Sequence, residues 1–286
     1  MFPSIHFPYG VILMLKPSAR PGSLPPLETP QISPKGYVEQ IVGVMNVSVT
    51  YSRLGMRGRK IFGGLVQYGK PWRTGANEFT TIAFSDRVKV EGHDLPAGSY
   101  SLFTIPGEQE WVIIINKKTT GMQRDEKEDL LSFKVKPSHT SIPLETFTIN
   151  IADVATNTAN VELAWENTVV KFRIEFEVDS RVIASMQKVM ENPYADVAFT
   201  YYQSASYYFS TGRDLKTAFD WVNKSLELKY DFYWVWRMKS LIQAGLKDYT
   251  GAIASAELSK QKAMAMGNEQ MVKTNDDAIA EWKTMK

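Results

Sequence analysis

The sequence predicts an α+β chain of two unlike parts, an antiparallel β-sandwich followed by α-helical hairpin repeats. Three observations carry this. Residues 36–179 hold many short runs of β-branched and aromatic residues, separated by turn residues. Residues 180–286 carry apolar residues at helical spacing and repeat themselves at a shift of 34. Eight of the 14 prolines fall in residues 1–34, which sets that segment apart from both. The 286 residues suit two domains, and 44% hydrophobic content is enough to bury cores.

Residues 1–35 read as a Pro-rich tail or a degraded export signal. The apolar run Val11–Leu15 is too short to span a bilayer. No Lys or Arg precedes it, and Pro8 and Pro17 hem it in, so it makes a poor signal peptide. Next come the strands. Val47–Tyr51 alternates, and Thr80–Phe84 and Val88–Val90 follow it. Tyr100–Ile105 runs through Pro106-Gly107 into Trp111–Ile115, a hairpin whose turn has a mechanism: Pro presets φ and Gly accepts positive φ. Leu95–Gly98 is a second turn. Leu131–Val135, Phe147–Ile151, Val161–Trp165 and Val170–Val178 complete the set. Uneven strand lengths and varied loops favour a sandwich over a barrel.

The helical part opens after Ser180 with Ile183, Met186, Val189 and Met190 on one face, and Pro193 breaks it once. At the shift of 34, Ser206 pairs with Ser240, Leu215 with Tyr249, Ala218 with Ala252, Phe219 with Ile253 and Ser225 with Ser259. Small residues recur where two helices approach closely, and large ones where the pair fills its groove. This period and pattern resemble tetratricopeptide (TPR) helix pairs, and Asp248–Ile253 resembles the start of a second repeat helix. Two departures stand out. Val222 and Ala256 replace the expected large aromatic, and Tyr230 and Met264 replace the terminal Pro. A last helix with Met271, Ala278, Ile279, Trp282 and Met285 on one stripe would cap the stack.

Charge and composition exclude several functions. Lys+Arg 33 against Asp+Glu 31 argues against a protein built to hold nucleic acid or an anionic membrane. With no Cys there is no disulfide, thiol nucleophile or Cys-ligated metal. His6, His93 and His139 show no helical zinc spacing, and no Gly-x-Ser-x-Gly elbow occurs. The charge run Arg124–Asp129 lacks calcium-loop spacing and reads as a solvated loop. Gly64–Lys70 nearly spells a phosphate-binding loop, but Pro71 stands where Ser or Thr must follow Lys, and no helix follows. No metal and no cofactor is expected.

The segment 53–78 is the candidate ligand site. It combines six glycines with Arg53, Arg57, Arg59, Lys60, Lys70 and Arg73, and with Phe62, Tyr68 and Trp72. Glycine-exposed backbone donors beside guanidinium groups suit a carboxylate, phosphate or sulfated ligand, and Tyr68 and Trp72 suit stacking on a sugar. The expected ligand-binding residues are Arg53, Arg57, Arg59, Tyr68, Trp72, Arg73 and Asn77. A structural role stands beside this one: the glycines shape crossovers, the aromatics cap the sandwich, and the arginines bind backbone carbonyls or Glu78. In the helices the dense aromatics, among them Tyr201, Tyr208, Trp221 and Trp234, mostly fill the core, and the remainder could form a concave protein-binding surface.

Gly58–Val66, Tyr68-Gly-Lys70, Trp72–Asn77, Leu95–Pro106 and Trp165–Thr168 closely resemble the bacterial domain-of-unknown-function family 2911 over residues 36–178. The resemblance implies a β-rich domain, often with an export signal and a TPR-like extension, hence a periplasmic or extracellular location. It supplies no activity, substrate or catalytic residue. The leading expectation is a non-enzymatic binding protein. Its sandwich takes a small anionic or saccharide ligand, and residues 180–286 dock a protein or peptide. One alternative is a glycan or ester hydrolase with Glu78 as general acid or base and Arg73 holding charge. Another is a structural adaptor acting through the helical repeats alone.

Overall fold

A computed structural model describes residues 29–121, 123–192 and 196–285. Most of the Pro-rich tail, with His6 and the Val11–Leu15 run, lies outside the described residues, as does Pro193. The layout is α+β. Ten strands come first: β1 (Lys35–Val42), β2 (Met45–Ser52), β3 (Thr81–Phe84), β4 (Val88–Val90), β5 (His93–Leu95), β6 (Gly98–Ile105), β7 (Trp111–Asn116), β8 (Asp129–Val135), β9 (Ser138–Ala152) and β10 (Thr158–Phe176). They form two antiparallel sheets, one ordered β1-β2-β3-β6-β7-β8 and one ordered β5-β4-β10-β9.

The two sheets bury their alternating apolar residues in one shared core. Val47, Val49, Leu102 and Ile113 come from the larger sheet, and Phe147, Leu163, Phe172 and Ile174 from the smaller. Rings meet from the two sides: Tyr51 with Phe147 at 5.7 Å, Phe84 with Phe176 at 6.2 Å, and Phe133 with Phe172 at 5.7 Å. These edge-on arrangements match the aromatic quadrupole.

One sequence expectation needs correction. Val161–Trp165 and Val170–Val178 belong to one strand, β10, which ends at Phe176. Its pairing with β9 slips between Ala164 and Glu166 and again between Glu166 and Thr168, and Glu166 has φ +52. Bulges absorb the polar Glu166-Asn-Thr168 stretch between the two expected strands. His139 is in β9 opposite Thr168, and His93 opens β5.

β7 departs from simple alternation. Trp111, Ile113 and Ile115 face the shared core, while Ile114 and Val112 face outward with Phe79, Phe103 and Ile105 in a second apolar cluster. The larger sheet is therefore buried locally on both faces.

Six helices follow: α1 (Asp179–Met190), α2 (Val197–Ser210), α3 (Leu215–Glu227), α4 (Tyr233–Gly245), α5 (Tyr249–Ala265) and α6 (Glu269–Lys283). Asp196, Asp214, Asp248 and Asn268 cap four of them by accepting first-turn amides. The residues matched at a shift of 34 play matched parts. Ala218 and Ala252 are fully buried. The Ser225 hydroxyl donates to the Ala198 carbonyl at the start of α2, and the Ser259 hydroxyl to the Tyr233 carbonyl at the start of α4, both at 2.8 Å. Helix α6 buries Ala278, Ile279 and Trp282 and turns Glu269, Lys273, Asp276 and Asp277 to solvent.

The helices meet the strands at the β1–β2 hairpin. Its turn has Gly43 at φ +66, and a Cβ there would lie 2.6 Å from Val178. Arg181 pairs with Asp86 and also donates to the Met45 sulfur at 3.3 Å, and Val182 packs on the shared core.

Candidate functional site

The loop between β2 and β3 is pinned at its second half. Trp72 and Thr104 exchange backbone hydrogen bonds of 2.7 and 2.9 Å, which fastens Trp72 to β6. Thr74 is fully buried at φ +54, a region that a β-branched residue rarely occupies. Its carbonyl accepts from Thr80 Oγ1 at 2.6 Å, and its hydroxyl meets Thr104 Oγ1 at 3.2 Å. Gly75 has no room for a side chain, because a Cβ would lie 2.8 Å from Thr80 Oγ1. Strain of this kind persists where neighbours over-determine the backbone, and it gathers at functional sites. The residue held between Trp72 and Thr74 is Arg73.

The predicted residues separate in space. Trp72 belongs to the core wall, with its ring 5.9 Å from Trp165 and 5.1 Å from Phe147, and its indole N–H bonded to the Gly75 carbonyl. Tyr68 folds over Gly63, where a Cβ would lie 2.7 Å from the ring. Burial, then the nearby Glu108 and Glu166 charges, push its hydroxyl above the ordinary tyrosine range. Arg53 lies against β9 and donates to Thr148 Oγ1 at 3.1 Å. Arg57 donates to the Ile32 carbonyl and Arg59 to the Met56 and Gly55 carbonyls. Asn77 donates to the Ser33 carbonyl, and its own carbonyl accepts from Arg73 Nη1 at 2.5 Å. Glu78 pairs with Lys35 at 2.7 Å, both exposed, rather than with Arg73.

Arg73 lines a hollow. A cavity of about 330 Å³ opens on the outer face of the larger sheet, bounded by Pro71, Arg73, Phe79, Phe103, Gln123, Arg124 and Glu126. The outward cluster of Phe79 and Phe103, with rings 4.9 Å apart, makes its apolar floor. Its far wall is braced. Buried Asn116 donates to the Asp125 carbonyl and to Asp129 Oδ1 at 2.7 Å, and it accepts from the Lys118 amide. Asp129 in turn pairs with Arg124 through two hydrogen bonds. Burial raises the Asp129 carboxyl, but the hydrogen bonds from Arg124 and Asn116, and then the Arg124 charge, hold it below the ordinary range. Arg124 is thus neutralised by Asp129 and flanked by Glu126 at 3.5 Å. Arg73 enters no ion pair among the described residues, so it is the cavity's open cation.

A cavity of about 580 Å³ lies between β4, the end of β10 and the end of α2. Two of its carboxylates are engaged internally: Asp179 with Tyr207 and Arg213, and Glu177 with Ser180. Burial and then the Asp179 hydrogen bond push the Tyr207 hydroxyl up to about 12. That network ties α2 to the start of α1. Among the described residues, no group of three or more His, Cys, Asp or Glu could hold a metal ion, and no helix is long and apolar enough to cross a membrane.

Sequence reasoning missed Phe79, Phe103, Gln123 and Arg124. The available signal was Trp111–Ile115, whose unbroken apolar run marks a strand buried on both faces. Residues 33–174 match the family described as "Protein of unknown function (DUF2911)". No curated protein and no solved structure matches the chain.

Proposed function

We propose that this is a non-enzymatic binding protein whose β part, a sandwich in its layering, takes a small carboxylate with an apolar body in the Arg73 cleft. One observation carries the reading: Arg73, in no ion pair among the described residues and next to a backbone strained at Thr74, lines the same cavity as Phe79 and Phe103. A carboxylate on Arg73 gains a charge-assisted, bidentate partner, and the body of the ligand covers Phe79 and Phe103. Glu126 at the mouth disfavours ligands carrying several negative charges. In the same reading the helical hairpins are TPR-like and dock a protein, and the protein works outside the cytoplasm, as the family resemblance suggests.

The test is a thermal-shift and calorimetric series with benzoate, hexanoate, phosphate and neutral sugars. The monocarboxylates should raise the melting temperature and the neutral sugars should not. Arg73→Gln should weaken monocarboxylate binding about tenfold to a hundredfold, with the unliganded melting temperature little changed. Binding that survives Arg73→Gln would remove the cleft from the account.

A further inference from the structure

We infer that the free edge of β1 pairs with β1 of a second copy of this chain, joining two six-stranded sheets about a two-fold axis at Tyr37. β1 ends the larger sheet, and no strand among the described residues lies on its other side. Among the described residues this edge carries no bulge and no covering strand. Eight residues pair regularly with β2 from Lys35↔Ser52 to Val42↔Met45, without bulge or proline. Such an edge is a template for another strand.

Which backbone groups are free follows from the ladder. The Arg53 amide donates to the Pro34 carbonyl, so that opposed pair is a hydrogen-bonded one. Hydrogen-bonded and non-bonded pairs alternate in an antiparallel ladder. Gly36, Val38 and Gln40 therefore point N–H and C=O at β2, and Lys35, Tyr37, Glu39 and Ile41 point theirs outward. Gln40 Nε2 donates to the Ile41 carbonyl at 2.9 Å, which places a side chain over that end of the edge. Lys35, Tyr37 and Glu39 remain open.

A two-fold axis at Tyr37 uses all three. It sets Tyr37 opposite its own copy, and Lys35 opposite Glu39 of the second copy, twice. All three facing pairs are then hydrogen-bonded ones. The same side chains lie on the solvent face, where Tyr37 is 61% exposed. Opposite charges directly across strands stabilise the pairing. Moving the axis to Glu39 places two carboxylates face to face and needs the Ile41 carbonyl that Gln40 covers. The present partners, Glu78 for Lys35 and Tyr37 and Asn46 for Glu39, are exposed contacts that exchange at little cost. Edge pairing alone covers less area than a permanent interface, so the association is weak and concentration-dependent.

Analytical ultracentrifugation of the full chain should show a monomer–dimer equilibrium. Lys35→Glu faces like charges across the axis and should weaken it about tenfold. Lys35→Glu with Glu39→Lys should restore it. Tyr37→Pro removes an outward N–H that β2 does not use, so it should leave a folded monomer. The chain has no Cys, so Tyr37→Cys should give a disulfide-linked dimer on oxidation and Glu39→Cys should not. A full chain that stays monomeric at about 100 μM, a concentration at which a weak specific interface should still associate, or a dimer indifferent to both charge variants, would overturn the proposal.

Discussion

Trp165→Ala is expected to destabilise the β part by about 3–5 kcal/mol and to lower its melting temperature by roughly 10 °C. Trp165 is fully buried and meets Trp72 at 5.9 Å, Phe147 at 5.7 Å and Phe62 at 6.2 Å. Its indole N–H donates to the Glu145 carbonyl at 3.3 Å. Truncation removes the apolar contact and leaves a cavity, while that carbonyl keeps the Met56 amide at 2.7 Å. The same ring supports Trp72, the residue that anchors Arg73. The variant should therefore also lose carboxylate binding, although Trp165 does not line the cleft. Differential scanning calorimetry with and without benzoate checks both effects. A stable variant that binds normally would mean that the aromatic wall does not position the loop.

Asp129→Ala is expected to cost about 2–3 kcal/mol, because it leaves the part-buried Arg124 guanidinium with only the exposed Glu126 at 3.5 Å and frees one donor of buried Asn116. Side-chain exposures of 15% for Arg124 and 19% for Asp129 make this a part-buried pair, where removing one partner matters. The pair also predicts a pH dependence. The Asp129 carboxyl sits below its ordinary value in the folded chain. Between the folded and unfolded values the folded state binds fewer protons, so stability rises with pH across that window. The contribution is complete above the ordinary carboxylate range near about 4, and it is lost as the pH falls through the folded value. Stability of the parent chain should therefore fall more steeply below about pH 4 than that of Asp129→Ala. Equal slopes in acid denaturation would show that the pair contributes nothing.

Much of the layering was legible because the strands alternate. Val47–Tyr51 presents one apolar face, and Val47, Val49 and Tyr51 meet Phe147 and Ile149 of the other sheet in the shared core. Helical pairing was legible because Ala218/Ala252 and Ser225/Ser259 mark contacts that only small or hydrogen-bonding residues satisfy. The length of β10 was not, since a bulge hides a polar triplet inside a continuous strand. The site was half legible. Glycine and arginine density pointed to 53–78, but composition does not say which guanidinium finds a carbonyl nearby. Arg57 and Arg59 do so within their own loop and the adjoining residues. Arg73 bonds one carbonyl and still faces a cavity, because the second wall comes from residues 123–126, about fifty positions away in the chain.

The most direct measurement is a heteronuclear NMR titration of the full chain with benzoate, following backbone amides and the Arg73 side-chain Nε–H. The account predicts saturable shifts confined to Arg73, Phe79, Phe103 and Gln123, with Arg57 and Arg59 unmoved. Saturable shifts centred on another surface, or none at all, would contradict it.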